Sequence, residues 1–133
     1  MKKKTLPIVA ASAALFLGVL VTSDYAADAK SPIKEAMQKY HKGATKDADP
    51  VCKKASNGAA SKDEIKGMLA AYQAMAKAKP PQGDEKSWAD KCAALVAAAT
   101  ALDKGEAGAV DKYKAAVNCK ACHEVHRPAA KKK

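Results

Sequence analysis

The chain has 133 residues, with 24 Lys and Arg against 14 Asp and Glu, for a formal net charge of +10. Hydrophobic residues make up 48% but aromatics only 5%, so alanine supplies much of the apolar count. This length leaves room for one domain and argues against a large multidomain enzyme; the apolar fraction argues against disorder.

Residues 1–29 read as a secretory signal peptide. Met1-Lys2-Lys3-Lys4 is a basic start, residues 6–21 carry no charge, and Ala27-Asp28-Ala29 supplies an A-x-A cleavage pattern. Cleavage is expected after Ala29; a cut after Ala27 is the second choice, disfavoured by the bulk of Tyr25. The alternative is an uncleaved anchor. Against it, the apolar run is shorter than the ~20 residues of a comfortable spanning helix and contains Pro7 and Gly18. No Cys stands at the cut, which argues against a lipoprotein. The expectation is an exported, periplasmic domain over residues 30–133 with no stable membrane anchor. In that compartment thiols can be paired or chemically modified, which bears on Cys52, Cys92, Cys119 and Cys122.

Asn57-Gly58, Lys79-Pro80-Pro81-Gln82-Gly83 and Lys104-Gly105 divide the exported part into four segments of helical length. The first opens with Ser31-Pro32, an N-cap followed by proline, and spaces Ile33, Met37, Tyr40/His41 and Ala44 on one face. Pro50 should kink or briefly interrupt it. The second begins with Ser61-Lys62-Asp63-Glu64, a capping box, and carries Ile65, Met68, Leu69, Tyr72 and Met75 on one stripe. The third starts near Asp84 with Trp88, Cys92, Leu95, Val96, Ala99 and Leu102; the fourth starts near Glu106 with Val110, Tyr113 and Val117. No stretch alternates with strand period. Four amphipathic helices with short connections predict an all-α, antiparallel up-down four-helix bundle.

The large apolar side chains are sparse for a domain of this length, and alanine adds helix propensity more than burial. Lean cores of this size commonly need a metal, crosslinks, a partner or a cofactor. A bulky apolar cofactor would fill the deficit, as would close packing of alanine-lined helices.

Residues 119–123 read Cys-Lys-Ala-Cys-His. C-x-x-C-H is the attachment signature of c-type haem. Two thiols three residues apart reach the two vinyl groups of one haem edge and form thioethers, and the following His coordinates the iron. A thioredoxin-like redox site is disfavoured because no βαβ pattern surrounds the motif. A zinc site using all four Cys would compete poorly with haem attachment and disulfide formation during export.

A C-x-x-C-H motif in the last helix of an exported four-helix chain resembles the class II cytochromes c, the cytochrome c′ and cytochrome c-556 group. The resemblance follows the helix order over the whole exported part and rests most specifically on Cys119, Cys122 and His123. His126-Arg127 stands where that family usually has an aromatic-basic pair, and the chain is shorter than typical members. The resemblance implies a left-handed bundle with one covalent haem c between the helices, and a first-helix residue facing the distal side of the iron. It also admits a homodimer.

With His123 as the proximal ligand, His126 lies three residues along the same helix and cannot reach the opposite haem face. It is expected in solvent or near a propionate. The distal candidates are His41, at the family's distal register, and Met37, a turn earlier on the same face. A side chain on each axial position gives a closed, six-coordinate haem that carries single electrons; His/His ligation gives a lower potential than His/Met. If neither reaches the iron, the resemblance to cytochrome c′ implies binding of NO or CO. The electron carrier is the preferred reading, because His and Met stand where an open pocket would want plain aliphatics. Catalysis is not expected, since no paired acids or activated nucleophile are legible.

Arg127 is the candidate for a propionate contact. Cys52 and Cys92 are read as buried free thiols in preference to an intramolecular bridge or an intermolecular link, because diagonal helices hold their Cα atoms beyond the ~7 Å a disulfide allows. The positive charge suits acidic docking surfaces on redox partner proteins. Nucleic acid is not expected, as no basic cluster is interleaved with aromatics.

Overall fold

Side-chain caps start three of the six helices in the computed structural model, which describes residues 31–129. The expected leader and the Lys131-Lys132-Lys133 tail lie outside those residues. The helices are α1 (Pro32–Tyr40), α2 (Val51–Ser56), α3 (Lys62–Lys77), α4 (Glu85–Lys104), α5 (Ala109–Ala116) and α6 (Cys119–His126). Among the described residues there is no strand. No helix among them is long and apolar enough to cross a membrane.

The second and third segments form as their sequences predict. Ser61 Oγ accepts from the Glu64 amide at 3.2 Å and Glu64 Oε2 accepts from the Ser61 amide at 2.8 Å, so the capping box of α3 is complete. The other Glu64 oxygen accepts from Lys54 Nζ at 2.8 Å and ties α2 to α3. Asp84 caps α4 by accepting from the Ser87 amide at 2.7 Å.

The outer segments are more broken than their periodicity suggests. α1 stops at Tyr40, His41 is its C-cap, and residues 41–50 are irregular before Pro50 caps α2. Proline cannot donate to a preceding turn and disfavours helix at Asp49, so the interruption is a loop, and Ala44 falls off the helical face. In the fourth segment Val117 and Asn118 separate α5 from α6. Asn118 Oδ1 accepts from the Ala121 amide at 3.0 Å, starting a new helix at the first cysteine of the motif.

Packing links the segments in a ring: α3 lies against α1, α2 and α4; α4 lies against α3, α5 and α6; and α2 meets α5. The enclosed core combines Met68, Tyr72, Met75, Trp88 and Tyr113 with Ala36, Ala55, Ala98, Ala99, Cys52 and Cys92. Small residues let the backbones approach closely. A Cβ on Gly67 would come within 2.5 Å of the Tyr40 hydroxyl, so α1 crosses α3 where α3 has no side chain. Several larger aliphatics, among them Ile33, Met37, Leu69, Val96 and Val117, are only partly covered.

Candidate functional site

The Asn118 cap starts α6 at Cys119, so the two thiols and His123 follow within its first turns. Two cavities adjoin this helix. One, of about 230 Å³, is walled by Cys119, Cys122 and His123 of α6, by Met37 and His41, by Lys91, Ala94 and Leu95 of α4, and by Ala115 to Val117 at the end of α5. The other, of about 470 Å³, is walled by Ile33, Met37, His41, Lys42, Met75, Trp88, Cys122, His123, His126 and Arg127. Met37, His41, Cys122 and His123 belong to both walls. The proximal candidate and both distal candidates are therefore brought to one cleft between the end of α1 and α6.

His41 is a tethered side chain. Its Nε2 lies 2.8 Å from the Tyr72 hydroxyl, which lies 2.6 Å from the Tyr113 hydroxyl, which in turn lies 3.2 Å from Met68 Sδ. Burial pushes the His41 pKa down to about 4, and the charge that His123 can carry adds to the effect, so the ring is neutral at pH 7. Burial likewise holds both phenols far above their ordinary range, and they remain protonated donors. Tyr72 reads in the sequence as core or haem packing, and Tyr113 only as one of the apolar positions of the fourth segment. The available signal was that a fully buried Tyr needs a partner for its hydroxyl.

His126 is neither exposed nor free for a propionate, contrary to the sequence expectation. It is 2% exposed, with Nδ1 3.0 Å from the Gln82 carbonyl and Nε2 3.2 Å from Ser87 Oγ. Its ring stands edge-on to Trp88 at 5.3 Å. The carbonyl accepts from Nδ1–H, so Nε2 accepts from the Ser87 hydroxyl. Gln82 Nε2 also donates to the Arg127 carbonyl at 2.8 Å. Gly83 (φ +82°) lets this loop press against α6, since a Cβ there would meet His126 Nδ1 and the Val125 carbonyl at 2.8 Å. The Arg127 side chain is exposed at the rim of the larger cavity.

Cys52 and Cys92 are buried free thiols, as preferred from the sequence. Burial raises both, Cys92 to about 11. Cys122, partly buried, is also raised by desolvation, against the pull of Lys91. Among the described residues no group of three or more His, Cys, Asp or Glu side chains is gathered to hold a bare metal ion, so the four cysteines do not converge as the zinc alternative needs. Cys119, Cys122 and His123 fit a covalent haem in another way. They share the wall of one cleft with Met37 and His41, the two distal candidates.

A scan against protein-family models and searches of curated proteins and of solved structures find no match to this chain.

Proposed function

We propose that the chain is an exported, periplasmic monohaem cytochrome of the class II type, an antiparallel up-down four-helix bundle that carries single electrons between redox partner proteins. Cys119 and Cys122 would hold haem c through thioethers, and His123 would be the proximal iron ligand. The bound group supplies a one-electron Fe(III)/Fe(II) couple. The chain would supply the rest: Ala94, Leu95, Ala116 and Val117 would keep water from the ring, and Lys42, Lys91 and Arg127 give the cleft a positive border. That border suits the propionates and an acidic docking partner.

The observation that carries this reading is the cleft whose two cavities share Met37, His41, Cys122 and His123. His41 is favoured over Met37 as distal ligand, because histidines that bind metal almost always have a partner at the second ring nitrogen, and Tyr72 is that partner. Two imidazole ligands place the potential below that of a His/Met centre. A closed coordination sphere would suit the protein to carrying electrons.

The test is the mass and ferric EPR spectrum of protein secreted from cells able to mature c-type cytochromes. One haem of added mass and a low-spin signal are expected. Unmodified mass would sink the haem assignment, and a high-spin signal with rapid CO uptake on reduction would replace the carrier with a gas-binding protein.

A further inference from the structure

We propose that Tyr72 and Tyr113 are positioning residues for His41, forming a one-way hydrogen-bonded relay that fixes the ring as its Nε2–H tautomer and leaves Nδ1 as the nitrogen offered to the iron. This rests on the cytochrome reading above and deepens it.

The direction follows from the far end of the relay. A thioether sulfur has no proton to give, so Tyr113 donates to Met68 Sδ across 3.2 Å. Each phenol has a single proton. With its own committed to Met68, Tyr113 must accept at its oxygen, and the Tyr72 hydroxyl 2.6 Å away is the donor. Tyr72 has then spent its proton and can only accept from His41, 2.8 Å away. Nε2 therefore carries the ring proton. Nδ1 is left with its lone pair and no hydrogen-bond partner among the described residues, on a ring that walls both cavities.

The relay is also insulated. Tyr72, Tyr113 and Met68 are each 0% exposed, so water cannot enter to reverse it. Tyr72 and Met68 lie one turn apart on α3, and Tyr113 comes from α5, so two separate helices hold its geometry. An imidazole that donates its N–H is a stronger electron donor through its other nitrogen, which favours the ferric state.

The test uses the haem-loaded protein labelled with ¹⁵N-histidine, in the reduced, diamagnetic state. Long-range ¹H–¹⁵N correlations should show the His41 ring proton on Nε2, exchanging slowly with solvent. In Tyr72→Phe the acceptor is lost, and the reduction potential should shift upward. In Tyr113→Phe the Tyr72 proton loses its acceptor and turns toward Nε2, so the high-spin fraction should grow although residue 113 borders neither cavity. Tyr40→Phe, a buried phenol outside the relay, should leave spectrum and potential unchanged. A ring proton on Nδ1 in the parent protein overturns the relay and leaves the cytochrome standing, and this measurement needs no variant to fold. A Tyr113→Phe protein with the parent spectrum and potential overturns it too. If His41→Ala stays low-spin, His41 is no ligand and the relay falls with it, while Met37 takes the distal place.

Discussion

Replacing His126 with alanine tests whether α6 is fastened to the bundle by the loop before α4 and by the first turn of α4. Among the described helices α6 has its main packing contact with α4 alone, so its C-terminal end depends on side-chain links. His126 makes two of them, at 3.0 Å to the Gln82 carbonyl and 3.2 Å to Ser87 Oγ. Each is worth about 0.5–1.5 kcal/mol net. Removing a ring that is 2% exposed and edge-on to Trp88 also leaves a partly collapsible void. Together these predict a loss of about 2–3 kcal/mol. In urea unfolding of the protein, with a slope of about 1–1.5 kcal/mol/M, the midpoint should fall by roughly 2 M. Gly83→Ala should weaken the same contact from the other side, because its Cβ would strike His126 Nδ1 and the Val125 carbonyl. The double variant should lose less than the sum, since His126→Ala removes one of the atoms in the way. A midpoint shift below about 0.3 M for His126→Ala, or strict additivity with Gly83→Ala, would refute the fastening.

Other expectations concern the caps, the thiols and acid. Ser61→Ala should cost about 1 kcal/mol in thermal or urea unfolding, because it removes half of a complete capping box. The Lys54 ammonium, with the Ser61 amide, holds the Glu64 carboxyl below its ordinary value of 4.5. Its contribution is therefore full above that value and lost as pH falls through the lowered one, and Glu64→Gln should flatten that part of the acid-unfolding curve. Cys52 and Cys92 should resist iodoacetamide in the folded protein and both react after unfolding; an intact mass two hydrogens lower would show a bridge instead.

What was legible in the sequence was what depends on a few adjacent residues. The capping box at Ser61, the start of α4 at Asp84 and the stop at Gly105 are each set within one turn, and each stands where the sequence puts it. The outer segments failed for a related reason: apolar spacing runs on through Pro50 and Asn118, while backbone preferences at those residues break the helix. The site divided in the same way. Cys119, Cys122 and His123 are a local pattern, and helix spacing puts His41 and Met37 on one face without choosing between them. Tyr113 and Tyr72 lie 41 positions apart, so their shared relay is a product of packing and leaves no local trace. His126 departs from its sequence reading because its partners, Ser87 in the first turn of α4 and Gln82 in the loop before it, lie 39 and 44 positions earlier.

The sparse core and the cleft are two views of one feature. Ile33, Met37, Ala116, Val117 and Cys122 are the partly covered hydrophobic groups that border the cavities, and no other described residue closes over them. At about 25 cal/mol per Å² of apolar surface, a flat ring buried among them would contribute several kcal/mol that the alanine-rich interior does not provide. Attachment would then be a folding event as well as a chemical one. The Cys119→Ala/Cys122→Ala protein, unable to hold the group covalently, should unfold at markedly lower urea than a haem-loaded chain, and by more than the Ser61→Ala variant. An equal midpoint for the two would mean that close packing of alanine faces alone stabilises the helices, and the cleft would lose its claim to be the unfinished part of the core.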